Sequence, residues 1–406
     1  MKLIEPFRQI ITMRELPLKG ALADEQLDII KEGGIVVNDT KIEAVGNFKT
    51  LHSAYPNIPI HRIETDLVAF PGMIDAHTHL CFAGSRAMDF AARNNGKTYL
   101  EIAKAGGGIW STVQHTRKAT EKELVDLMKT RLNRLLHQGV TTVEIKSGYG
   151  LSVEEELKQL RAIRNTNHVL DIIPTCLAAH IVPRDMEGGE IEHLNTILNR
   201  LVPQIQQEKL CNRFDIFIEE SAFSIAEATR YLKALKQHGF DLTVHGDQFS
   251  VGGSQVAIDC GALSVDHLEV SGEKEIAALA KSDTIAVALP GASIGIGYAF
   301  TPARKLLDAG ASLAIASDWN PGSAPQGNLL MQAAVLSTFE KLSAAEVWAG
   351  MTFRAAKALG LTDRGRLEKD QLADIIAFPT NDYREVLYHQ GMMNITALWK
   401  DGKQLI

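Results

Sequence analysis

The run Asp75-Ala76-His77-Thr78-His79 sets two imidazoles two residues apart. On an extended strand, residues i and i+2 face the same side, so His77 and His79 can reach one metal ion together. More chemistry-bearing residues follow other apolar, β-branched runs. His180 follows LDIIPTCLAA, His245 closes DLTVH, Asp266-His267 closes ALSVDH, and Asp318 comes directly after SLAIAS. Taken singly, each has an ordinary reading. A lone histidine at a strand end is commonly a hydrogen-bonded surface or core residue, and an aspartate there commonly caps a turn. Taken together, five of the chain's 13 histidines stand at such run ends, which coincidence does not explain. His77, His79, His245 and Asp318 offer three imidazoles and one carboxylate, a set that suits one divalent ion, Zn2+ or Fe2+. An ion so held lowers the pKa of a bound water towards neutrality and yields a hydroxide nucleophile. Asp318 then serves as ligand and as acceptor of that water's proton. His267 is placed to orient the water or to stabilise an oxyanion. The expected chemistry is metal-assisted hydrolysis.

Eight short runs carry or interleave these residues: 67–75, 140–146, 170–179, 214–220, 241–245, 262–267, 284–290 and 312–317. Most are separated by longer stretches of helical period, such as 121–139 and 225–239. Alternating βα units imply a parallel sheet, and eight of them suit a closed (β/α)8 barrel, whose functional residues gather at the C-terminal strand ends. An open doubly wound sheet is the alternative. It is disfavoured because no GxGxxG turn follows the first run. The ends of the chain read differently. Residues 28–46, 372–378 and 395–406 are strand-like, with turn signals at Gly33-Gly34, Asn38-Asp39 and Asp401-Gly402. They predict a small β-sandwich domain built from both termini (1–66 and 361–406), with the barrel spanning 67–360.

Composition sets the outer limits. Apolar residues make up 45% of 406, enough for a large core, and the net charge of −7 comes without any basic block. A nucleic-acid or membrane surface is therefore not expected. No apolar run is long enough to span a bilayer, and the first residues carry no signal-peptide pattern. The four cysteines are scattered without CxxC spacing. They read as reduced thiols, Cys176 and Cys260 buried, in a cytoplasmic protein.

The motif pattern resembles that of the amidohydrolase superfamily: Asp-x-His-x-His on strand one, His after strand five, His after strand six, Asp after strand eight. Within it, longer strings resemble the imidazolonepropionase family over nearly the whole chain. They are FPGMIDAHTHLCFAGSR, GGGIWSTVQHTR, TTVEIKSGYGL, LAAHIVP, HGDQF, SVDHLE and SDWNPGSAP. The resemblance implies hydrolysis of the cyclic amide of 4-imidazolone-5-propanoate to N-formimidoyl-L-glutamate. It implies His77, His79, His245 and Asp318 as metal ligands, and Arg86, Tyr149, His180, Gln248, Asn320, Gly322 and Ser323 as substrate contacts. It leaves a homodimer as an expected state. The residue types agree with this. A guanidinium at Arg86 can bind a propanoate carboxylate with two parallel hydrogen bonds. Glycines on either side of Tyr149 allow close backbone approach to a ligand. Asn320-Pro321-Gly322-Ser323 offers a polar edge, and it is also a good turn sequence. The Gly106–Gly108 run has no following GKS or GKT, so it reads as part of an active-site loop rather than a phosphate loop.

Two positions leave alternatives open. Gln248 stands where some relatives carry Glu, and an amide cannot act as a general base. Lys146 reads as a supporting or structural charge, although a second metal bridged by Glu219 is an alternative. A deaminase of a cyclic amidine is the nearest rival activity, but it calls for a Glu where His245-Gly246-Asp247-Gln248 has none. A metabolite-binding barrel without catalysis is a remote one.

Overall fold

In the computed structural model, residues 1–98, 101–102 and 105–406 are described. The chain first lays down β1 (Lys2–Ile11), β2 (Ile29–Asn38), β3 (Lys41–Asn47), β4 (Ile60–Arg62) and β5 (Val68–Pro71). Eight strands then alternate with helices: β6 (Met73–Asp75), β7 (Val140–Lys146), β8 (Asp171–Ala179), β9 (Arg213–Ile216), β10 (Asp241–Gly246), β11 (Ser264–His267), β12 (Ile285–Ala288) and β13 (Leu313–Ile315). The chain closes with β14 (Ile375–Phe378), β15 (Ala397–Lys400) and β16 (Lys403–Gln404). Each of the eight expected runs holds one strand of the parallel sheet β6 to β13, ordered as in sequence.

That sheet closes on itself at the strand ends. Asp318 N donates to His77 O and His79 N to Trp319 O, each at 3.0 Å, and Thr78 bridges Trp319 in parallel register. Asp75 adds a side-chain tie across the same seam, accepting from Ser317 N at 2.9 Å and from Ser317 Oγ at 2.5 Å. The eight-strand barrel is thus fastened at and beside His77, His79 and Asp318.

The helices follow from their own sequences. Glu121–His137 starts with a capping box in which Thr120 and Glu123 satisfy each other's backbone N–H groups. Leu124, Met128, Leu132 and Leu135 recur every three or four residues and are fully buried on one face. Ile225–Gln237 repeats the pattern, with Ser224 as its cap. All seven residues of β7 are buried, as a parallel strand covered on both sides requires.

The ends fold together as expected. Strands β1 to β5 and β14 to β16 form one bent sheet, ordered β16-β15-β14-β5-β1-β2-β3 with β4 beside β1. Its two sides share a core in which Phe7 meets Trp399 edge to face at 5.9 Å. The expected turn at Asp401-Gly402 is present: Lys400 pairs with Lys403, and both turn residues have positive φ. Two readings change. Gly33-Gly34 is not a turn but the middle of β2. A Cβ on Gly33 would fall 2.5 Å from Ile10 Cδ1 on the paired strand, so the glycine marks close approach. The run 67–75 is not one barrel strand. β5 pairs with β1 and β14 in the terminal sheet, and only β6 enters the barrel. The break is at Gly72, where a Cβ would lie 2.3 Å from Thr141 Oγ1. The expected boundary at 66/67 therefore leaves β5 on the wrong side.

All four cysteines are free thiols, and Cys81, Cys176 and Cys260 are buried. Among the described residues no helix is long and apolar enough to cross a membrane.

Candidate metal centre and active site

His77 and His79 leave the end of β6 on the same side, and His245 sits at the end of β10. Their Nε2 atoms converge, with His79 Nε2 lying 3.2 Å from that of His77 and 3.3 Å from that of His245. Asp318 Oδ1 stands 3.5 Å from His77 Nε2 and 3.4 Å from His79 Nε2. It is buried and accepts no hydrogen bond. A four-coordinate ion with metal–nitrogen bonds of about 2.0–2.1 Å needs donor-to-donor edges of about 3.3–3.4 Å. The observed spacing matches, and the three histidines form a buried cluster able to hold a metal ion.

The remaining atoms of these side chains are anchored so that the converging ones stay free. His77 Nδ1 donates to Asp266 Oδ2 at 2.6 Å, and His245 Nδ1 lies 2.9 Å from Asp215 Oδ2. Asp318 Oδ2 accepts from Ser323 Oγ at 3.2 Å, which leaves Oδ1 facing the imidazoles. Partners of this kind fix ring orientation and tautomer. Beneath them Lys146 is fully buried, 2.7 Å from Glu144 Oε1, 2.8 Å from Asp215 Oδ2 and 4.0 Å from Asp266 Oδ2. This fulfils the reading of Lys146 as a supporting charge. Burial holds His79 well below the ordinary histidine value and lowers His245 to about 3, so both present neutral imidazoles. At His77 burial and Lys146 act downward, but Asp266 and Asp318 outweigh them and raise it to about 9. Burial acts upward on Asp318, yet His77 and His79 hold it well below the usual carboxylate range.

A cavity of about 220 Å³ opens over this cluster. His79, His245, His267 and Asp318 line its floor; His77 lies fully buried below. Arg86, Tyr149, His180, Gln248, Asn320, Gly322 and Ser323 all line the same cavity. His180 Nδ1 donates to Gly148 O at 3.0 Å. Burial lowers this imidazole to about 4, so it is neutral with Nε2 as a bare acceptor. His267 Nδ1 meets Glu269 Oε1 at 3.2 Å; burial lowers its pKa, but Glu269 raises it more. His267 (φ 89°) and Asp318 (φ 52°) both occupy the left-handed region, a strain characteristic of residues aimed for function. Arg86 Nε donates to Asp89 Oδ2 at 2.8 Å, and Asp89 also accepts from Gly108 N at 2.8 Å. The Gly106–Gly108 run thus leads into helix Ile109–Lys118 and steadies the partner of Arg86.

The loop after Asp318 is tightly self-bonded. Asn320 donates to Asp318 O and Ser323 Oγ, and its Oδ1 accepts from Gly322 N and Ser323 N. A Cβ on Gly322 would lie 2.3 Å from Arg86 Nη1, so this glycine makes room for the guanidinium. Glu219 takes no part in the cluster. Its carboxylate accepts from the N–H groups of Gln248, Phe249 and Ser250 and from Ser250 Oγ. That leaves it as the anchor of the loop carrying Gln248, not a bridge to a second ion.

Sequence reasoning missed Asp215, Asp266 and Glu144 as partners, and Arg93, Ile109, Phe217, Phe249 and Ile296 as cavity wall. The available signal was a charged residue inside an otherwise apolar barrel run, as Asp215 is in FDIFIEE.

Comparison with known proteins agrees with this geometry. An amidohydrolase family profile matches residues 91–406. The imidazolonepropionase of Deinococcus radiodurans is 39% identical over 399 residues, covering 98% of each chain. That of Myxococcus xanthus is 42% identical over 337 residues, covering 82% of this chain and 80% of its own. Among solved structures, an atrazine chlorohydrolase from Arthrobacter aurescens complexed with zinc superposes with a TM-score of 0.70 at 16% identity, over 100% of this chain and 95% of its own. An adenosine deaminase from Xanthomonas campestris with bound zinc gives 0.71 at 18% identity, over 99% and 92%. At such identities these two speak for the fold alone. With full-length identity near 40% to curated relatives and the barrel, ligand cluster and cavity in place, the chain belongs to the imidazolonepropionase family of amidohydrolases.

Proposed function

We propose that this chain hydrolyses the cyclic amide of 4-imidazolone-5-propanoate to N-formimidoyl-L-glutamate, a step of L-histidine breakdown. The observation that carries this is the single cavity in which all seven expected substrate positions meet the histidine cluster. His77, His79, His245 and Asp318 would hold one divalent ion, Zn2+ or Fe2+. Bound there, such an ion activates water at neutral pH and polarises the amide carbonyl.

The chain's own residues supply the rest. Arg86, steadied by Asp89, takes the propanoate carboxylate with its free guanidinium nitrogens. His180 accepts a hydrogen bond from a ring N–H, because its own proton is on Nδ1. Tyr149 and Gln248 border the ring, and the edge formed by Asn320, Gly322 and Ser323 closes the side next to Asp318. Asp318 takes the proton of the attacking water and passes it to the ring nitrogen as the C–N bond breaks. His267, its Nδ1 turned to Glu269, presents its other ring nitrogen as the donor to the oxyanion that forms at the carbonyl. A Gln at 248 only hydrogen-bonds the ring, so Asp318 and His267 manage the protons.

The test is hydrolysis of freshly generated 4-imidazolone-5-propanoate, followed by loss of its ultraviolet absorbance, on metal-analysed protein before and after chelation. Turnover should fall on chelation and return with about one equivalent of Zn2+ or Fe2+. Absence of turnover in metal-replete protein would refute the substrate assignment. We also propose a cytoplasmic location, supported by four unpaired thiols. A homodimer is supported by exposed apolar side chains such as Tyr388 and Met392. Light scattering of the purified chain tests the second.

A further inference from the structure

A second cavity, of about 500 Å³, lies against the outer side of the active-site wall. Arg86 and Gly322 line both cavities, so the guanidinium that faces the reaction chamber also faces this one. Its walls are apolar and partly aromatic, with Phe82, Phe90 and Trp319 exposed to it, and two further arginines, Arg131 and Arg134, join Arg86 in it.

Arg131 is the unusual group. Its Nη1 donates to Leu80 O and Phe82 O at 2.7 and 2.8 Å, and its guanidinium lies 3.6 Å over the Phe82 ring. No carboxylate pairs with it or with Arg134 among the described residues, and burial lowers its pKa to about 10. A largely buried guanidinium without a counter-charge is costly, and it favours an anion. Asp89, the carboxylate paired with Arg86, is already shared with Gly108 N. Three guanidiniums among aromatic walls fit an anion with a flat apolar body.

We propose that this cavity is a second binding site for a small carboxylate with a flat apolar body, coupled to the active site through Arg86. A carboxylate seated on Arg131 and Arg134 competes for the outer donors of Arg86 and loosens its hold on substrate. The coupling rests on Arg86 binding the substrate's propanoate; occupancy of the cavity does not.

Calorimetric titration of the metal-loaded full chain with benzoate, against benzamide as the uncharged match, tests occupancy without any turnover. Benzoate should bind saturably, and benzamide at least about tenfold more weakly. Arg131→Gln should weaken benzoate about tenfold or more. Arg134→Gln, at an exposed residue whose side chain makes no described hydrogen bond, should weaken it about two- to fivefold. If Arg131→Gln fails to fold, Arg134→Gln decides. No saturable binding, equal binding of benzamide, or benzoate binding unchanged in the Arg134 variant would overturn the proposal; the last result places the anion in the reaction chamber. In steady-state assays benzoate should raise KM, and Arg134→Gln should reduce that effect. If binding is seen but KM does not move, the coupling through Arg86 is wrong while the site stands.

Discussion

Replacing Asp266 by asparagine tests whether the ring partners set metal affinity. Asp266 Oδ2 accepts from His77 Nδ1 at 2.6 Å and from Thr243 Oγ1 at 3.2 Å, and it faces Lys146 at 4.0 Å. Its other oxygen is buried and accepts no hydrogen bond. Asparagine keeps the shape but must place an NH2 group. Turned towards His77 it opposes another donor; turned away it has no acceptor. Either orientation also removes a negative charge that supports the imidazole as a ligand. Losses of this kind weaken metal binding by about 10–100-fold, or about 1.4–2.7 kcal/mol. The assay is competition for Zn2+ against a chromophoric chelator, with wild type alongside. Asp247→Asn is the control. Asp247 is equally buried at the same barrel end, but it serves Gly252 N, Ser254 N and Ser271 Oγ rather than an imidazole. An Asp266→Asn affinity within twofold of wild type, or an equal loss in the Asp247 control, would refute the reasoning.

Three other outcomes are expected. Gly322→Ala puts a methyl 2.3 Å from Arg86 Nη1; it and Arg86→Ala should both raise KM, the latter by about 10–100-fold, with metal content by elemental analysis unchanged. Gln248→Glu should keep kcat within about threefold, because the side chain is not asked to move a proton; a tenfold change in steady-state turnover would contradict that. Thr120→Ala removes the cap of helix Glu121–His137 and should lower stability by about 1 kcal/mol in urea denaturation, without altering kinetics.

How much of this was readable in the residues depends on what kind of relation placed them. The eight strands, and the gathering of His77, His79, His245 and Asp318 at one end of them, were legible because a parallel barrel strand is a local event. It is a short buried run, and these four residues stand at or just beyond the ends of β6, β10 and β13. The division of 67–75 was not legible. An apolar run buried on every side looks the same whether its neighbour is β1 or β7, and only long-range pairing decides. Likewise nothing in the spacing ties Asp266 to His77, which is 189 residues away, or Asp215 to His245 on the next strand. Glu219 shows the reverse case. Its place after a strand left a metal bridge open as an alternative, but the N–H groups of residues 248–250 take its Oε1 and the Ser250 hydroxyl takes its Oε2.

Lys146 has a consequence for how the protein lives without its ion. Three carboxylates crowd under the histidines, and like charges so close in a buried site disfavour one another's ionised form. Here a permanent cation, covalently part of β7, sits among Glu144, Asp215 and Asp266 whether or not a divalent one is above. The barrel thus carries its own resident charge beneath the candidate ion site. Chelation is therefore expected to leave the fold standing, which circular dichroism before and after chelation would check.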